Sequence, residues 1–344
     1  MKIPAKYWIP GSVLAVFVLM EVILRVAFGL GNPVLVQADS FTGYRFKPNQ
    51  KLLRLGKKIQ YNQYSQRSEP ITLKKPPNKL RILMIGDSVL NGGNPTDQNQ
   101  TITELWEAKL SASGHPAEVL NASAGSWGIG NALGYLRQFG TFNADAVILQ
   151  IGTHDLTQPT STSDVVGHHP AFPTHPPLLA SQDAWTRYIW PYVAGKLGYT
   201  LPNGDFASSS ISLTPNQQFN QNMQHLKEII TLVRGQKIPV FVLFTPNSYD
   251  LLPKFTVPNY KLEFFRYLNS LQVPIIDTHT AWSRLPPTKV AIYFRDEVHL
   301  TIQGNQAIAQ NLFGQLCRQR LLQACSSPQP PLGSPATLNK KPRS

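Results

Sequence analysis

The run Leu80-Arg81-Ile82-Leu83-Met84-Ile85-Gly86-Asp87-Ser88 decides how the rest of the chain is read. Apart from Arg81, residues 80–85 are all apolar, without the alternation of a half-exposed strand. Such a run fits a strand covered on both faces. Gly86 then breaks it, and Ser88 falls where strand gives way to loop or helix. A serine there can face a cleft, but it stays inert until a base takes its proton. A Gly-Asp-Ser turn or a helix cap is the plainer reading of these residues taken alone.

The same rhythm continues downstream. Short apolar runs at Glu118–Asn121, Ala146–Ile151, Pro239–Thr245 and Val273–Ile276 predict further strands. Thr101-Ile102-Thr103-Glu104 has the form of a capping box, followed by Ile102, Leu105, Trp106 and Leu110 on one helical face. Phe219, Met223, Leu226, Ile230 and Val233 mark a long amphipathic helix; Ile308, Leu312, Phe313, Leu316 and Leu321 mark a last one. Apolar strands alternating with amphipathic helices imply an α/β domain whose mostly parallel sheet is covered on both faces. Ligands of such sheets sit beyond the carboxyl ends of the strands.

Polar groups gather at those ends. Asp296-Glu297-Val298-His299-Leu300 precedes the last helix; Asp and His three apart can place an imidazole and its orienting carboxylate in one turn. A solvated loop is the alternative. Asn121-Ala122-Ser123-Ala124-Gly125 follows the second strand and Gly152-Thr153-His154-Asp155 the third. Gly125 can bring a backbone N–H close to a developing oxyanion, and His154 can add a side-chain donor. Asn121-Ala122-Ser123 also fits a glycosylation sequon, in a place expected to be buried.

Together these four segments resemble the SGNH hydrolase superfamily, also called GDSL lipases/esterases, over about residues 79–323. The resemblance implies a flavodoxin-like three-layer α/β/α sandwich. It implies Ser88 as nucleophile, His299 as base and Asp296 as its orienter, with the N–H groups of Ser88 and Gly125 in the oxyanion hole. The third block departs from the family pattern: His154 stands where Asn is usual. A neutral imidazole has one N–H to offer in its place. Asp87, Asn91, Asp155 and Trp185 are the residues expected to contact substrate. No cofactor and no metal is expected. His168, His169 and His175, with Asp164 nearby, read as a Pro-rich loop rather than a metal site.

Residues 1–32 suggest targeting. Lys2 and Lys6 precede an uncharged run from Tyr7 to Met20, and Glu21 and Arg25 follow at a spacing that permits pairing. Tyr7 to Leu30 spans 24 residues, enough to cross a bilayer. A cleaved signal peptide and a buried helix are the alternatives. The expected product is a single-pass protein whose catalytic domain is extracytoplasmic, periplasmic in a Gram-negative-type cell.

Residues 33–78 read as a linker with some local structure, and 324–344 as a disordered tail. Residues 156–215 interrupt the strand–helix rhythm and carry Trp185, Tyr188, Trp190 and Tyr192, so they read as a lid or substrate wall. The 344 residues are 42% apolar and 15% charged, a globular composition, with a net charge of +13. That charge invites nucleic acid, which export makes an unexpected partner; an acylated carbohydrate or small ester is the expected one. Cys317 and Cys325 on one helix would lie about 12 Å apart, so a disulfide requires the chain to turn back.

Overall fold

A computed structural model describes residues 5–199 and 213–317, with side chains for 11–199 and 213–316. Helix α1 (Ala5–Phe28) precedes two hairpins, β1 (Val36–Asp39) with β2 (Gly43–Phe46) and β3 (Gln50–Arg54) with β4 (Lys57–Tyr61). Strand β5 (Leu80–Gly86) leads into α2 (Ser88–Asn91) and α3 (Ile102–Ala112), and β6 (Ala117–Ser123) into α4 (Ile129–Phe139). After β7 (Ala146–Gly152) come the short helices α5 (Ala180–Ala184) and α6 (Trp190–Lys196) and the long α7 (Pro215–Gly235). The order then runs β8 (Val240–Thr245), α8 (Lys261–Ser270), β9 (Ile275–Asp277), α9 (Thr278–Trp282), α10 (Pro287–Ala291) and α11 (Ile302–Leu312).

Strands β5 to β9 form one parallel sheet in the order β6-β5-β7-β8-β9. This is the flavodoxin-like order, with its reversal between β5 and β7. The apolar run at residues 80–85 explains the layering. Leu83 and Ile85 point to one face and pack with Leu133, Leu226 and Phe264 of α4, α7 and α8. Ile82 and Met84 point to the other and pack with Trp106, Ile308 and Leu312 of α3 and α11. Each of these strand side chains is at least 99% buried, worth about 2 kcal/mol apiece. Thr101 caps α3 by accepting from Glu104 N at 3.3 Å, and Thr214 caps α7 ahead of Pro215.

The stretch 33–78 is no mere linker. Its hairpins bury Tyr44, Leu52, Ile59 and Tyr61, and Arg67 is fully buried with its guanidinium on the carbonyls of Asn91 (2.7 Å) and Gly93 (2.6 Å). The reason lies in strands of four and five residues, too short to show a clear period. The described part of 156–215 is tied to the body of the domain. Its start bonds to the Ser126 carbonyl through Gln158 (2.7 Å), and Pro173 accepts from Val36 N (2.9 Å). Farther on, α5 packs on α1. Residues 200–212, the tail 324–344, Cys325 and the side chain of Cys317 lie outside the described residues.

Candidate active site

The sheet brings four polar positions into line. In the paired register Gly86 faces Ser123, and Gly152 faces Thr245. Each of these residues ends its strand, and two residues beyond them stand Ser88, Gly125, His154 and Asn247. Parallel strands ending together thus set these residues side by side along the carboxyl edge.

Gly86 makes the turn possible. A Cβ there would lie 2.3 Å from Gln150 Oε1, which accepts from Asp87 N at 3.1 Å. Asp87 then caps α2, its Oδ1 accepting from Val89 N at 2.8 Å. Ser88 is the first residue of that helix and half-buried. The N–H groups of Ser88 and Gly125 donate to no acceptor among the described residues. Gly125 is fixed from the other side, where the hydroxyl of fully buried Tyr44 donates to its carbonyl.

His299 arrives from the far end of the chain. Its Nε2 stands 2.9 Å from Ser88 Oγ. Its Nδ1 stands 2.9 and 3.0 Å from the two Asp296 oxygens. An N–H at Nδ1 donating to the carboxylate leaves Nε2 as acceptor for the serine O–H, the tautomer a general base requires. The loop is closed by a bridge between Phe294 and Leu300, and Asp296 Oδ1 accepts from Val298 N (2.9 Å) and His299 N (2.7 Å). Burial pulls the Asp296 carboxyl upward, but these N–H groups and the His299 imidazole outweigh it and hold it below the usual value. Ser248 N–H donates to the Glu297 carbonyl at 2.7 Å, tying this loop to the end of β8.

His154 is committed elsewhere than expected. Its Nε2 donates to Asp87 Oδ2 at 2.6 Å and its Nδ1 to Asn247 Oδ1 at 3.0 Å, so no N–H remains for an oxyanion. Burial disfavours the charged ring, but Asp155, the hydrogen bond and charge of Asp87, and Asn247 raise it to about 10. It is an imidazolium at neutral pH. Burial, then the Asp87 charge, push Asp155 upward as well. The donor atoms of Asp87, His154 and Asp155 lie within 4.8 Å of one another, a set that can hold a cation only if His154 gives up its proton.

The residues expected to touch substrate divide differently. Asp87, Asn91 and Asp155 are each at most 2% exposed. Asp87 caps and pairs, and Asp155 Oδ2 accepts from Gly152 N at 2.6 Å. Asn91 donates to the Ser123 carbonyl at 2.9 Å and accepts from Tyr61 Oη at 3.2 Å. They hold the strand ends rather than face a ligand. Trp185 stacks on Trp190 in a segment held by α1 and β3. Asn121 is fully buried, its amide donating to Leu90 O at 3.0 Å. Tyr44, Arg67 and Asn247 escaped the sequence reading. For Asn247 the available signal was a polar residue just past an apolar strand; for the other two there was none.

The sequence profile of the GDSL-like lipase/acylhydrolase family matches residues 84–307. The chain belongs to this family. Three solved structures are similar to the chain at low identity. An acetyl xylan esterase, AlAXEase, is 14% identical, with 69% of this chain and 100% of that chain covered and a TM-score of 0.44. The acetylxylan esterase Axe2 from Geobacillus stearothermophilus is 14% identical over 69% and 94%, with a TM-score of 0.41. A lipolytic G-D-S-L family protein from Veillonella parvula is 14% identical over 68% and 96%, also with a TM-score of 0.41. Comparison with curated protein sequences returned no match.

Proposed function

We propose that this family member is a serine esterase that removes short, acetyl-like acyl groups, with the acylated carbohydrate of a cell envelope or an extracellular polysaccharide as substrate. The observation that carries the reading is the 2.9 Å approach of His299 Nε2 to Ser88 Oγ, with Asp296 on the opposite ring nitrogen. In this scheme His299 takes the proton from Ser88 as Oγ attacks the ester carbonyl. The N–H groups of Ser88 and Gly125 receive the oxyanion, each worth about 3 kcal/mol of barrier. Collapse expels the alcohol, which takes its proton from His299, and water then releases the acyl group by the same steps.

Ser88 is half-buried and the Asp296 side chain 47% exposed, so the pair sits in a shallow site, which suits a short acyl group better than a long chain. The His299 side chain is 34% exposed, which favours water over a sugar hydroxyl as the acyl acceptor, so hydrolysis is the first reading and O-acyl transfer the second. In both, α1 serves as a membrane anchor with the domain outside the cytoplasm; its Gly11–Phe28 stretch is long and apolar enough to cross a bilayer.

Turnover of a series of p-nitrophenyl esters, from acetate to laurate, with and without an oligosaccharide acceptor, tests the proposal. Faster cleavage of acetate than laurate, unchanged by the acceptor, supports it. A preference for laurate removes the short-acyl assignment, and acylation of the acceptor makes the protein a transferase.

A further inference from the structure

Helix α1 carries two charges near its end, and both are taken up by the segment that holds α5. The Glu21 carboxylate accepts from Ala180 N and Ser181 N, both at 2.8 Å, and Arg25 donates to Leu178 O at 2.6 Å. Behind α5, Asp183 accepts from Gly31 N (2.7 Å) and forms a fully buried, two-pronged pair with Arg54 at 2.8 and 3.0 Å. The junction between α1, α5 and β3 is therefore a built contact with a fixed geometry.

The residues turned away from this contact are apolar. On α1, Val22, Ile23 and Val26 are exposed, as are Leu14, Val16 and Leu19 before them. Just past α5, Trp185, Ile189, Trp190, Tyr192, Leu197 and Tyr199 are all exposed, with the rings of Trp185 and Trp190 stacked at 6.2 Å. So many large aromatic and aliphatic groups over some 15 residues are costly in water. They also begin beside the end of α1, where an apolar helix would leave a bilayer. Trp and Tyr favour that zone because their rings are apolar and their N–H and O–H groups can stay wet.

We propose that residues 178–199 lie in the headgroup region of a lipid bilayer, as an aromatic belt docked against the last two turns of α1. The inference rests on reading α1 as membrane-spanning. The belt explains how Glu21 and Arg25 are tolerated in an apolar helix, since the segment covers their polar groups while Val22, Ile23 and Val26 meet lipid. It also makes the anchor rigid: the domain is held at a set tilt by two contacts with the membrane rather than swinging on one.

The test uses the full chain in phosphatidylcholine vesicles, with and without bromine on the upper acyl chain, which quenches nearby tryptophan. Trp106, Trp127 and Trp282 are at most 4% exposed within the domain and form a constant background. The emission lost in the double variant Trp185→Phe/Trp190→Phe is expected to be the bromine-quenched part. The variant Trp8→Phe reports on α1 separately. If the Trp8 emission is quenched while that of Trp185 and Trp190 is not, the span stands and the belt is overturned. If neither is quenched, the membrane reading fails and the belt with it. Far-ultraviolet circular dichroism of each variant confirms folding, and Trp185→Tyr/Trp190→Tyr, which keeps amphipathic rings, is expected to retain the vesicle binding of the native chain.

Discussion

His299 Nε2 lies 2.9 Å from Ser88 Oγ although 211 positions separate the two residues in the chain. The contact closes across the sheet: Ser88 leaves the inner strand β5, and His299 hangs from the loop before α11, which packs on α3 beneath the same strand. The geometry of this pair is the ground for the first prediction.

Ser88→Ala is expected to abolish labelling by a fluorophosphonate probe and to lower kcat/KM by about 10⁴-fold or more, with little change in melting temperature. Ser88 Oγ makes its hydrogen bond to an imidazole that solvent can reach, so its loss leaves no fully buried group unpaired. Labelling that survives the substitution removes Ser88 as nucleophile.

Asp296→Asn is expected to lower kcat about 10³- to 10⁴-fold, because an amide no longer fixes the Nδ1–H tautomer of His299. A second consequence follows from the lowered titration of Asp296. A carboxylate stabilised in the folded state contributes above its unfolded value, near 3.9, and that contribution vanishes as pH falls through the lower folded value. Thermal melts in the acid range are therefore expected to show a smaller pH dependence for Asp296→Asn than for the native protein. Equal slopes would mean that the carboxylate is not held as described.

Tyr44→Phe removes one buried hydrogen bond, from the phenol to the Gly125 carbonyl, at a cost of about 1 kcal/mol in stability. Freed of this anchor, the Gly125 peptide loses its fixed aim. A fall in kcat with KM unchanged is expected; a change in stability alone would make Tyr44 a packing residue only.

His154 sets the pH dependence on the alkaline side. Its folded value, about 10, lies above the unfolded value of 6.5. The stabilisation is complete below the unfolded value and is lost as pH rises through the folded one. The raised titration of Asp155 acts in the same direction. Native melting temperature should therefore decline between about pH 7 and pH 10, and His154→Ala should flatten the decline. The variant also strands the buried Asp87 carboxylate, at a cost of about 3 kcal/mol at neutral pH. A variant as stable as the native chain would show that the pair contributes nothing net.

What the amino-acid sequence determined by itself was the architecture and which polar residues stand at its strand ends. Runs such as residues 80–85 and 146–151 are mostly apolar without alternation, short and closed by glycine, which fits a strand buried on both faces. Glycine after such a run, then Asp-Ser, placed Ser88 at a strand end, and the Asp296-x-x-His299 spacing is a local device that needs no tertiary information. Tertiary structure alone decided where the remaining polar groups point. His154 was legible as a donor at the right address. Its partners Asp87 and Asn247 come from two other strand ends, and a ring nitrogen bonds to whatever the packed sheet sets within 3 Å. The same holds for Tyr44, whose hairpin is too short for periodicity to reveal, and for Arg67, in the irregular stretch after the second hairpin. The aromatic stretch 185–192 reads as part of a lid or substrate wall, while the contacts of Glu21, Arg25 and Asp183 set it beside the end of α1, because burial is a property of the assembled fold and not of any one segment.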